Sequence, residues 1–142
     1  MRLEPVAGAF AAALVLAGGG SAASGPSFAF GRTGGNIQPY EVDISPTGRI
    51  TASGGITLKS VGTRLPRTTL AHLLGIASRQ RFFALPRRLT CAGSLPDFAS
   101  SFVRVSTTTR TRTVLVRGDC SPRFGAVLLA LERAAGVPVA SR

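Results

Sequence analysis

The sequence predicts an α+β fold: an antiparallel sheet of hairpins with two helices packed on one face, in the order strands, helix, strands, helix. Three observations predict it. Short segments alternate apolar and polar residues between turn signals. Two longer segments carry apolar residues at helical spacing. The lone pair Cys91 and Cys120 predicts one disulfide.

Residues 27–33 alternate apolar and small side chains and read as a first strand, ended by Gly34-Gly35-Asn36. In the next strand Tyr40, Val42 and Ile44 face in, and Glu41 and Asp43 face out. Ser45-Pro46-Thr47-Gly48 is a turn signature. A three-residue loop with Gly48 as a bulge pairs Ile44 with Ile50 and Val42 with Ala52, which keeps one apolar face. After Gly54-Gly55, residues 56–60 are expected to continue the sheet.

Pro66 opens a helix over 67–81, with Leu70, Leu73, Leu74 and Ala77 on one stripe. Arg81 falls on the same stripe, so the helix should end or bend there. Phe82, Phe83 and Leu85 then close the core, and Pro86 stops the segment. Residues 87–96 are expected to be a loop carrying Cys91. Residues 98–107 and 111–117 form a second hairpin, with Val103 expected opposite Val116 and Val105 opposite Val114. Cys120-Ser121-Pro122 starts a last helix with an N-cap and a proline at its first position. Phe124, Val127, Leu128 and Leu131 are its stripe, and Gly136 and Pro138 end it.

Residues 1–23 read as a secretory signal. Arg2 makes a short basic start, residues 6–17 are apolar, and Ser21-Ala22-Ala23 is a small-x-small site. The apolar run is short of the roughly 20 residues that span a bilayer. Cleavage after Ala23 leaves residues 24–142 as a single exported α+β domain, with no transmembrane segment. Retained, the segment would act as a loose anchor. An oxidising compartment suits the Cys91–Cys120 disulfide, whose loop should stabilise the fold by about 3–4 kcal/mol. Two cysteines and the single histidine, His72, lack zinc spacing, so no metal or cofactor is expected.

The chain carries a net charge of +11, and losing Arg2 and Glu4 with the signal leaves that unchanged. Lys59 is the one lysine. The charge favours anionic partners such as lipid headgroups, wall polymers or acidic proteins. Few aromatics lie outside core positions, which disfavours base stacking and hence nucleic acid. The candidate anionic-ligand patch is Arg79, Arg81, Arg87, Arg88, Arg104 and Arg112. A solvated basic face, with arginine favoured by GC-rich coding, is the competing reading.

No catalytic motif is present. His72 lies about 160° from the apolar stripe of its helix. It could act as a base only with Asp97 and Ser100 or Ser101, and neither serine sits in a nucleophile elbow. Glu41 and Asp43 read as solvated charges beside arginines, and Asp97 as a turn residue.

The pieces Tyr40-Glu-Val-Asp-Ile44, Gly48, Phe82-Phe-Ala-Leu85, Asp97, residues 101–116 and residues 124–131 together resemble small exported bacterial α+β domains of unknown function. Relatives often carry a Cys-x-x-Cys-Pro-like start where this chain has Arg32-Thr-Gly-Gly35. The resemblance implies the fold and the export and assigns no catalytic residue.

Three functions follow as expectations. The first is a non-enzymatic binding domain with a basic surface for an anionic cell-surface partner. The second is an inhibitor or partner-binding domain for another exported protein, such as a protease, using the loop from Leu89 to Pro96. The third is a small hydrolase using His72.

Overall fold

The computed structural model describes residues 24–138; the expected signal and its cleavage site lie outside the described residues. The elements are β1 (Ser27–Thr33), β2 (Tyr40–Ile44), β3 (Ile50–Gly54), α1 (Arg67–Arg79), a 3-10 turn (Phe82–Ala84), β4 (Arg88–Thr90), β5 (Ser100–Ser106), β6 (Thr111–Arg117) and α2 (Pro122–Ala135). Their alternation and stripes build a six-stranded sheet in the order β3-β2-β1-β5-β6-β4. All pairs are antiparallel except β4 with β6.

One sheet face supplies Phe28, Phe30, Val42, Ile44, Val103, Val105, Val114 and Val116 to the core. Leu70, Leu73 and Ala77 of α1 and Phe124, Val127, Leu128 and Leu131 of α2 cover it. Each large side chain so buried contributes about 1.5–3 kcal/mol relative to exposure. The first hairpin has the expected register, Val42 opposite Ala52 and Ile44 opposite Ile50, with Gly48 at φ 84°. Ser121 caps α2 by accepting from the Phe124 amide, and Gly136 closes the helix at φ 70°.

Three expectations are corrected. In the second hairpin Val103 faces Val114, Val105 faces Arg112 and Arg104 faces Thr113. The turn sits one residue earlier than expected: the Thr107 amide donates to the Arg110 carbonyl, and Thr107 Oγ1 accepts from the Thr109 and Arg110 amides. Residues 56–60 are not a strand. Gly54, at φ 81°, turns the chain off the sheet edge, and Leu58 becomes a buried plug in the core. The segment is tied to the end of α2 by the Ser60 hydroxyl, which donates to the Ala135 carbonyl. Within the expected loop 87–96, Arg88–Thr90 pairs with β6 as a short parallel strand. The expected end of the first helix at Arg81 is observed: α1 runs over Arg67–Arg79, and Arg81 takes a left-handed conformation at φ 50°. That turn swings the Arg81 charge off the apolar stripe and into solvent, and Phe82 fills the buried position.

Cys91 and Cys120 are bonded, with Cα atoms 5.6 Å apart. The bond joins the residue after β4 to the entry of α2. Among the described residues no helix is long and apolar enough to cross a membrane.

Candidate functional site

The exit of α1 gathers arginines for a local reason. A helix end leaves carbonyls unpaired, and it is the negative end of the helix dipole. Arg123, in the first turn of α2, donates from Nε to the Gln80 carbonyl at 2.7 Å and from Nη2 to the Arg81 carbonyl at 2.9 Å. Arg112 donates from Nε and Nη2 to the Phe83 carbonyl, at 3.0 and 2.7 Å. Arg110 stacks its guanidinium 3.8 Å from the Phe83 ring centre, a cation–π contact. Beside them is a hollow of about 310 Å³ lined by Ser78, Arg81, Phe82, Phe83, Ala84 and Arg110, with no carboxylate in its wall.

Of the six arginines named from sequence, Arg81 and Arg112 meet at this end, and Arg79 ends α1 beside it. Arg87 and Arg88 are exposed on and just before β4. Arg104 is not brought to them. It lies on the opposite sheet face, between Ala29 and Thr113, with Nη1 3.5 Å from Glu41 Oε1. Both partners are about a third or more exposed, so this ion pair contributes little to stability. Arg110 and Arg123 complete the basic end. Arg110 belongs to the arginines of the second hairpin; Arg123 stands alone in sequence, and no run marks it.

A second feature lies beside the disulfide. A cleft of about 830 Å³ opens between the loop before β5 and the first two turns of α2. Leu95, Asp97 and Phe98 form one wall, and Ser121, Phe124, Gly125 and Leu128 another, with Arg32 and Asp119 also lining it. Its size is within the range of ligand pockets. Leu95 and Phe98 are 57% and 50% exposed, unusual for such large apolar side chains. Their loop is held at its base. The disulfide anchors Cys91, the Cys91 amide donates to the Arg117 carbonyl at 2.8 Å, and Ser94 Oγ donates to the same carbonyl at 3.2 Å.

Asp97 and Ser101 both line the cleft, but His72, exposed on α1, does not. Ser100 is buried on the sheet face away from the helices. The four residues are not brought together. Among the described residues no cluster of three or more His, Cys, Asp or Glu could hold a metal. Tyr40 is half-buried at the start of β2. Burial pushes its phenol up from the usual value, the Glu132 carboxylate adds to this, and Arg32 opposes it.

No family model matches the chain, and no curated protein matches it.

Proposed function

We propose that this protein is an exported, non-enzymatic binding domain that holds an anionic partner at the cell surface through the basic end of its helical layer. The carrying observation is the hollow at the exit of α1. Arg81 and Arg110 line it, Arg112 and Arg123 brace its rim, and its wall has no carboxylate. The bracing arginines are held through two donors each, so the charges around the hollow are pre-ordered for an anion. The export part of the reading is supported by the sequence of residues 1–23 and by a disulfide suited to an oxidising compartment.

Binding to anionic vesicles and to a phosphate-rich wall polymer tests the reading. Replacing Arg79, Arg81 and Arg110 together by Gln should weaken binding and flatten its salt dependence. Equal binding of the triple variant at low salt would refute it. In the same preparation the exported chain is expected to begin at Ser24, which its intact mass reports.

A second reading has its own observation. Leu95 and Phe98, presented on a disulfide-held loop beside the cleft, suit contact with another exported protein. A partner retained at high salt and lost on Phe98→Ser would favour this reading over the first.

A further inference from the structure

The cleft beside the disulfide presents a definite chemical pattern. The Phe98 amide donates to the Leu95 carbonyl at 3.0 Å and closes the tight turn Leu95-Pro96-Asp97-Phe98. Leu95 and Phe98 stand at its two ends and Asp97 lies between them; all three are exposed and line the cleft. The turn is braced from two sides. Ser94, just before it, is held to the Arg117 carbonyl. Gly35 packs so closely against it that an added Cβ would sit 2.5 Å from the Asp97 carbonyl oxygen and 2.5 Å from the Ala99 amide nitrogen. A surface already held in one shape loses little entropy on binding.

The facing wall belongs to α2. Phe124 and Leu128 lie one helical turn apart and are buried, so the floor of the cleft reaches the core. Gly125 lines the cleft beside them, and an added Cβ there would meet nothing within 4 Å. Packing does not require a glycine at this position; the lack of a side chain leaves the floor open.

Charge then selects the occupant. Of the chain's 6 acidic residues, Glu4 belongs to the expected signal, and two of the other five, Asp97 and Asp119, line this cleft. Arg32 is the one cation in its wall. The hollow at the exit of α1 has Arg81 and Arg110 instead, and the one beside Ser24 has Arg64 and Arg67, each without a carboxylate. Among the described residues no cation is ion-paired to Asp97.

Building on the second reading above, we propose that the cleft binds a peptide segment of another exported protein that combines an apolar side chain with a lysine or arginine. The apolar side chain enters between Phe98 and Phe124, over Gly125, and the cation meets Asp97 at the tip of the turn. An acidic segment, which the rest of this basic surface attracts, is turned away here by the aspartates.

Selection from a random heptapeptide library displayed on phage, with the disulfide-intact protein as target and Gly125→Leu as counter-target, tests the proposal. Enriched sequences should pair an aromatic or aliphatic residue with Lys or Arg, and synthetic copies should bind the parent in solution. Gly125→Leu fills the cleft and should abolish that binding, with circular dichroism unchanged. Phe98→Ser, at an exposed position on the other wall, should weaken it as well. Asp97→Lys should weaken it by about tenfold, as attraction gives way to repulsion. A copy of the peptide with its cation replaced by Glu should bind Asp97→Lys better than it binds the parent. No enrichment over Gly125→Leu, or enrichment of acidic sequences, would overturn the proposal. Apolar sequences that need Phe98 but are indifferent to Asp97→Lys would overturn it too, while leaving the second reading standing. None of these substitutions touches the hollow at the exit of α1, so this outcome and the vesicle result are separable.

Discussion

Gly118→Ala is the sharpest test of how the disulfide is seated. Gly118 follows β6 at φ 95°, in the region that favours glycine. A methyl group there would meet Ser94 Oγ at 2.5 Å, Cys91 Cβ at 2.7 Å and Cys91 Sγ at 3.1 Å. The serine hydroxyl can swing away, at the expense of its bond to the Arg117 carbonyl. The cysteine cannot, because Cys120 holds its sulfur. The backbone conformation costs an alanine about 1–2 kcal/mol. Overpacking against a fixed side chain adds about 1–3 kcal/mol. A stiffer unfolded chain offsets about 0.4–1 kcal/mol. The expected loss is therefore about 2–4 kcal/mol, read from guanidinium unfolding of the oxidised protein with an unchanged slope. Gly93→Ala is the internal control. Gly93 has a similar φ of 79°, but nothing lies within 4 Å of the added atom. It should show the backbone cost alone, about 1 kcal/mol after the same offset. Equal losses at the two glycines would refute the close contact with Cys91.

Three further outcomes are expected. Leu73→Ala should cost about 2–5 kcal/mol, because its side chain is buried in the core. Its neighbour Leu74 is only partly buried and lines an open hollow with Arg64 and Arg67, so Leu74→Ala should cost about 1 kcal/mol; chemical denaturation checks both. The chain's single tyrosine should titrate above the usual phenol value in the folded protein and near about 10 in denaturant, by ultraviolet difference absorbance. Folding favours the neutral phenol, so this contribution is intact below about 10 and is lost as pH rises through the raised folded pKa. A folded-state titration at the denatured value would contradict the burial of Tyr40.

Local rules made much of the fold legible. The first hairpin could be registered from sequence because Ser45-Pro46-Thr47-Gly48 restricts the loop, and only one loop length keeps Ile44 and Val42 opposite apolar partners. The second hairpin lacks such a constraint. The expected and observed pairings differ by two residues, and a shift of two leaves every valine on the same face. The apolar pattern therefore cannot choose between them; the hydrogen bonds of Thr107 do. The strand at Arg88–Thr90 was hidden for another reason. It is three residues long and parallel to a strand that comes later in the chain, so nothing local marks it.

The sequence alone determined the two helix stripes, the cap at Ser121 and the cysteine pairing, because each depends on neighbours along the chain or on there being only two cysteines. The tertiary structure alone decided what the arginines do. Arg104 and Arg112 lie on neighbouring strands with similar flanks. Strand alternation sends one to Glu41 on the open face and the other to the Phe83 carbonyl beneath the helices. Arg123 joins Arg112 at the exit of α1 because α2 begins there, held close by a disulfide to a distant loop. A guanidinium's role is set by the groups that surround it in space, and those come from segments far apart in the chain.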